Sequence, residues 1–324
     1  MRALIHSTFA APEKVLTVEE RPLPQPGPGE VRVRTVLATI HNHDLWTVRG
    51  TYGFVPDLPA RAGTEAVGVV DALGPDVTGL EIGQRVAGGA FGAWAEYFTA
   101  KAAGLIPVPD SLSDEVAAQL VSMPFSAVSL VHSLDLHEGD WLVQNAANGA
   151  VGRMVAQIAA ARGFHVIGLV RREEGVTELA EQGIGNIVAT DADDWRDQVD
   201  ALTGGAPIIA GVDSVGGSSS QDVLSLIAED GTLVVFGAMQ SPVMEIRSGD
   251  VIFKQVTIKG FWGSKVSKNL DAATRGALFS QLMGHVLAGE LTLPVAGIYG
   301  FDDIHDAVLA SQTAGRVGKV LLRP

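Results

Sequence analysis

The stretch Trp141-Leu142-Val143-Gln144-Asn145-Ala146-Ala147-Asn148-Gly149-Ala150-Val151-Gly152 constrains the fold more than any other part of the chain. A short apolar run enters a glycine-bearing turn, and Val151, Met154, Val155, Ile158 and Ala159 then recur at helical spacing. This is strand, turn, helix. Further apolar runs at residues 165–170, 187–190, 208–212, 232–236 and 256–261 alternate with helical patterns, which predicts a doubly wound parallel sheet over 118–262.

The first hundred residues read differently. Short strands at 31–37, 66–73, 85–87 and 93–99 are separated by turn signals such as Gly74-Pro75-Asp76, and no sustained helical period precedes about residue 113. After residue 262 come a helix near 272–288 and two strand-like pieces at 293–299 and 317–322, too little for a domain. The simplest organisation is a β-rich domain of residues 1–117 and 263–324, with 118–262 inserted into it.

Composition narrows the functions such a chain can have. Its 324 residues carry 23 basic and 37 acidic side chains, a net charge of −14, which disfavours nucleic acid and anionic membranes as partners. Residues 116–134 lack charge but contain Pro124, Gln119, His132 and four serines, so a buried segment is expected rather than a membrane span. The first six residues lack a signal-peptide pattern, and the cytoplasm is the expected compartment. The absence of cysteine removes thiolate, iron–sulfur and Cys-rich zinc chemistry. Five aspartates within 191–200 read as a solvated helix face.

The turn Ala147-Asn148-Gly149-Ala150-Val151-Gly152 is a G-x-G-x-x-G pattern whose first glycine is alanine. Gly149 lets backbone approach a pyrophosphate, Gly152 lets helix pack on strand, and the helix N-terminus faces the anion. The following strand ends Val170-Arg171-Arg172, two cations where a 2′-phosphate would lie, so NADPH is the expected cofactor. The alternative is that the arginines are surface charges and Glu173 or Glu174 reaches a free ribose hydroxyl.

These features resemble the medium-chain dehydrogenase/reductases, specifically their zinc-independent members. The resemblance covers nearly the whole chain: Gly63-Thr64-Glu65 before Gly68, the run from Gly79 to Val86, the glycine turn, and the ending from Gly315 to Leu322. It implies a GroES-like β-rich catalytic domain with an inserted Rossmann domain. Where the zinc alcohol dehydrogenases place Cys, His and Cys ligands, this chain matches with His41, Thr64 and Ser122, so no metal is expected despite His43 and Asp44 nearby. Arg49-Gly50-Thr51-Tyr52-Gly53, Ser214-Val215-Gly216-Gly217 and Ile252-Phe253-Lys254 look like the 2-enoyl thioester reductases. The quinone oxidoreductase branch shares a tyrosine near Tyr52.

The resemblance further implies that Asn148, Gly149, Ala150 and Val151 cradle the pyrophosphate and that Arg171, Arg172 and Glu173 surround the adenosine ribose. Phe236, Gly237, Ala238 and Met239 would flank the cofactor with Phe261, Trp262 and Gly263, Lys319 would close over its phosphates, and Thr64 and Ser126 would bond nicotinamide or substrate. Enoyl reduction needs a hydride, a donor for the developing oxyanion and a proton. Of three tyrosines, Tyr97 and Tyr299 lie in strand patterns, which leaves Tyr52 as proton donor or oxyanion partner. His41 either assists proton transfer or is a satisfied buried histidine.

The expected function is reduction of an activated carbon–carbon double bond by NADPH, with a CoA or acyl-carrier thioester as first substrate. A quinone or enone reductase, and an NADPH-binding protein of structural or regulatory role, are the alternatives. A homodimer paired through the strand near 257–261 is implied.

Overall fold

The computed structural model describes residues Met1–Pro324. Six strands form an all-parallel sheet in the order Ile187–Ala189, His165–Val170, Trp141–Gln144, Ile208–Asp213, Ile227–Val235 and Thr257–Gly260. The first strand in sequence, Trp141–Gln144, lies between the second and the fourth, so the order of connections reverses beside it. In such sheets the crevice at the strand ends near that reversal is the ligand site. Val143, Ile167, Leu169, Val199, Val223 and Leu233 are buried together, as expected of strands covered on both faces by helices.

This sheet belongs to a compact unit, Met123–Thr292, and the rest of the chain, Met1–Ser122 with Leu293–Pro324, forms the other. The division departs from the expected one, which gave 118–122 to the nucleotide domain and 263–292 to the β-rich part. The helix Ala272–Leu287 buries Leu278 and Leu282, and its Phe279 ring stacks on Phe125 of the helix Met123–Leu134 at 4.0 Å. The Gln157 side-chain amide donates to the Thr292 hydroxyl at 2.8 Å, fastening the end of this segment. An apolar helix face has to be buried, and its nearest apolar partner lies in the parallel-sheet unit.

In the other unit a seven-stranded sheet runs Val295–Gly300, Lys319–Arg323, Glu30–Thr39, Glu65–Leu73, Arg85–Gly89, Leu105–Pro107, with Tyr97–Lys101 also paired to Glu30–Thr39. Thr17–Glu20, Arg2–His6 and Ala60–Arg61 form a small second sheet. Gly68 is required in its strand because a Cβ there would lie 2.3 Å from the Arg34 carbonyl oxygen.

The expectation of no helix before residue 113 is wrong at one consequential place. Asn42–Arg49 is a two-turn helix, opened by the Asp44 carboxylate accepting the His41 N–H at 2.9 Å and closed by Gly50 at φ +75°. Eight residues are too few for an apolar period to stand out. Residues 116–134 divide between Asp114–Ala117 and Met123–Leu134, and no helix is long and apolar enough to cross a membrane.

Candidate active site

In the β-rich unit, the strand Glu30–Thr39 delivers the chain to His41 and the short helix presents His43 and Asp44. Thr64 immediately precedes the neighbouring strand, which Glu65 begins. The His43 Nε2–H donates to the Thr64 hydroxyl at 2.7 Å, and that hydroxyl donates to Asp44 Oδ1 at 2.7 Å. A hydroxyl has one proton to give, so the direction of this chain is fixed: His43 to Thr64 to Asp44. The His43 ring lies 5.7 Å from the Tyr52 ring, between centroids. Tyr52 is half-buried in the turn that follows the helix.

His41 takes no place in that chain. Its Nε2 is 2.6 Å from Glu65 Oε2, with both side chains fully buried, and its ring stacks on His43 at 4.9 Å. It is therefore a packed histidine that backs His43, and the imidazole with an exposed edge is His43. The other Glu65 oxygen accepts the backbone N–H groups of Val121 and Ser122. Burial pushes the Glu65 carboxyl up to about 7 and holds His41 well below its usual range, since neither charge is solvated there. Burial also brings Lys319 down to about 8, against the opposing attraction of Glu65 and Asp44. Lys319 is thus a buried cation facing these carboxylates.

Between the ordinary carboxyl range and about pH 7, the folded chain holds a proton on Glu65 that the unfolded chain has released, so this group's contribution to stability falls as pH rises across that window. Urea unfolding of the wild type and Glu65→Gln is expected to show the stability difference moving in the variant's favour from pH 5 to pH 7.5. A difference that stays constant would contradict a buried, proton-holding Glu65.

In the parallel-sheet unit, Gly149 caps the helix Ala150–Arg162, whose first N–H groups lack intrahelical acceptors. A Cβ at Gly152 would lie 2.7 Å from the Ala146 oxygen and 2.8 Å from the Ala147 oxygen, so this glycine lets the helix sit on the turn. The alanine in place of the first glycine is accommodated too. Ala146 takes the left-handed conformation, φ +48°, and buried Ala147 fills the space opposite Gly168, where a second Cβ would approach to 2.8 Å.

The turn is tied to the next loop by a bond set centred on Asp213, a residue that the sequence pattern did not single out. Asn145 donates to Asp213 Oδ1 at 2.7 Å and accepts the Ser214 N–H at 2.7 Å; buried Asp213 also accepts from Val215, Gly216 and the Ser220 hydroxyl. A polar residue at the end of each of two adjacent strands was the available signal.

Arg171 and Arg172 leave the strand His165–Val170 exposed and without an ion pair, and exposed Glu173 starts the next helix. Phe236 stacks on Phe261 at 5.4 Å, and a Cβ on Gly263 would meet the Ser126 hydroxyl at 2.6 Å, so these expected cofactor residues lie together. Ala238, Met239 and Trp262 are exposed around them. Narrow glycine positions beside unpaired arginines fit a dinucleotide with a 2′-phosphate. Tyr52, His41, Thr64 and Lys319 belong to the β-rich unit; the remaining expected residues belong to the parallel-sheet unit.

Two family models match the chain: that of the zinc-binding dehydrogenases over residues 150–277, and that of the alcohol dehydrogenase GroES-like domain over 27–110. The human mitochondrial enoyl-[acyl-carrier-protein] reductase is 31% identical over 319 residues, covering 96% of this chain and 85% of that protein. The chain belongs to the medium-chain dehydrogenase/reductases. Among solved members of the family, the Pseudomonas syringae quinone oxidoreductase superposes with a TM-score of 0.90 at 27% identity, covering 100% of this chain and 99% of that one. A mycobacterial protein solved with NADPH gives a TM-score of 0.86 at 29% identity over 100% of both chains. Zinc belongs to the name of the first model; in this chain the hydroxyl of Thr64, which the resemblance aligns with a zinc ligand, is engaged by His43 and Asp44.

Proposed function

We propose that this protein is an NADPH-dependent reductase of an activated carbon–carbon double bond, with an enoyl thioester as its first substrate. The observation that carries the reading is the hydrogen-bonded chain from Asp44 through Thr64 to His43, ending beside the Tyr52 ring. It holds the His43 ring, its Nε2 proton committed to Thr64, beside the phenol that we take as the donor. NADPH, held by Asn148–Val151 and by Arg171 and Arg172, supplies a hydride when bound.

Tyr52 donates to the substrate carbonyl oxygen as charge develops there, or protonates the α-carbon. Thr64 fixes His43 by accepting from it, and Asp44 fixes Thr64. His41 and Glu65 are positioning residues: they hold the ring on which His43 stacks and the start of the strand that carries Thr64.

A quinone or enone reductase is the second reading, favoured by the structural match to the Pseudomonas syringae quinone oxidoreductase. NADPH oxidation measured with crotonyl-CoA, a quinone and a simple enone separates the two. Turnover of crotonyl-CoA above the others supports the first reading, and NADPH binding without turnover of any acceptor leaves a binding protein.

A homodimer is proposed through Thr257–Gly260, an edge strand that pairs only with Ile227–Val235 and follows exposed Ile252 and Phe253. Sedimentation as a single-chain species would overturn it. The cytoplasm is proposed as the compartment, whereas the curated relatives carry a mitochondrial location in their names; cell fractionation decides between them.

A further inference from the structure

The β-rich unit contains a cavity of about 260 Å³ whose wall includes Thr64, the hydroxyl between His43 and Asp44, together with His6 and Arg61. Its apolar part is formed mainly by Phe54 and Phe91, whose rings touch at 4.4 Å between centroids. Two side chains on this wall keep polar atoms without a partner inside the protein. The Arg61 guanidinium is half-buried and makes no ion pair or hydrogen bond; unlike Arg171 and Arg172, which are exposed, it stands against a cavity wall. His6 is 1% exposed, its Nδ1 lies 3.3 Å from the Thr8 carbonyl, and its Nε2 has no partner.

The position of the guanidinium is built into the backbone. Arg61 lies on Gly92, which also lines the cavity at φ +80°; a Cβ on Gly92 would come within 2.9 Å of Arg61 Nε and 3.3 Å of its Cζ. Asp44, the acid on the same wall, already accepts from Thr64 and from the His41 N–H. Burying a cation without a counter-charge is unfavourable, and both Arg61 and His6 have their protonated forms destabilised by desolvation. A ligand anion would relieve that cost.

We infer that this cavity receives a carboxylate carried on the substrate, bound by Arg61 with His6 beside it, so that the preferred acceptor is a short unsaturated carbonyl compound bearing an acid group on its far end. One guanidinium among apolar rings matches a monoanion on an aliphatic stem better than a phosphate dianion. The volume lies below the roughly 300–1,000 Å³ of ordinary ligand pockets, which confines the stem to a few carbons. The substrate assignment rests on the reductase reading above; the anion site does not.

The test compares (E)-6-oxohept-4-enoate with its neutral amide. With wild-type protein and NADPH, the acid is expected to show a KM at least ten-fold below that of the amide. That ratio should fall to about one in Arg61→Leu and be partly kept in Arg61→Lys. Because it is a ratio, general loss of activity does not move it. Equal KM values in the wild type, or an unchanged preference in Arg61→Leu, would overturn the inference. If neither enone is reduced, the reductase reading has failed on these acceptors, and calorimetry with the saturated 6-oxoheptanoate and its amide still decides the anion site. Tighter binding of the acid that is lost in Arg61→Leu supports it, and equal binding of acid and amide, or acetate binding as tightly as 6-oxoheptanoate, contradicts it.

Discussion

Tyr52→Phe is expected to lower kcat for an enoyl thioester by about 10²–10⁴-fold, the ordinary worth of a positioned proton donor. The phenyl ring keeps the packing against His43, 5.7 Å away between centroids, so the loss reports the hydroxyl alone. The NADPH dissociation constant should stay the same, because the glycine turn and the two arginines lie in the other unit. Thr64→Val cuts the chain between His43 and Asp44 while leaving Tyr52 in place, and should cost less. Unchanged turnover in Tyr52→Phe would remove the phenol from the chemistry and leave His43 as the donor.

Replacing Arg171 and Arg172 together with alanine should weaken NADPH binding by about 10²–10⁴-fold, from roughly 1.5–3 kcal/mol for each charge-assisted hydrogen bond to a phosphate. NADH, which lacks the 2′-phosphate, should bind the variant about as well as it binds the wild type. Both arginines are exposed and unpaired, so their removal leaves no buried charge behind and the fold should be unaffected. Selectivity, rather than affinity alone, is the readout. If NADH binds the wild-type protein more tightly than NADPH, Glu173 or Glu174 reaches the ribose instead and the cofactor assignment is reversed.

The parallel sheet was legible because its signals are local. A strand of Val and Leu, a turn with Gly149 and Gly152, and a helix with apolar residues three and four apart lie within about twenty consecutive positions. The strand order was not legible, because the same alternation is compatible with more than one doubly wound order. The helix Asn42–Arg49 was not legible: two turns carry no period, and its opening depends on one carboxylate reaching back three residues.

The chain from His43 through Thr64 to Asp44 had the same difficulty in stronger form. His43, Asp44 and Thr64 meet only because neighbouring elements bring positions about twenty residues apart into contact. Tyr52 and Thr64 were identified through resemblance, but His41 was preferred over His43. Which of two histidines faces a site is decided by where the helix begins, and here the first became the residue before the helix and turned inward onto Glu65. The unit boundary was missed for a packing reason: the Phe125–Phe279 stack joins segments about 150 residues apart, and nothing in either segment names its partner.

The central claim is that hydride passes from NADPH to the β-carbon of a conjugated double bond while this chain supplies the proton. Stereospecifically 4-deuterated NADPH, prepared with each label in turn and given with crotonyl-CoA, tests it directly by mass and NMR spectra of the product. The account predicts butyryl-CoA with one deuterium at C3 from one of the two labelled cofactors, and the second new hydrogen at C2 drawn from solvent. Deuterium at C2, or NADPH oxidised without formation of butyryl-CoA, would contradict it.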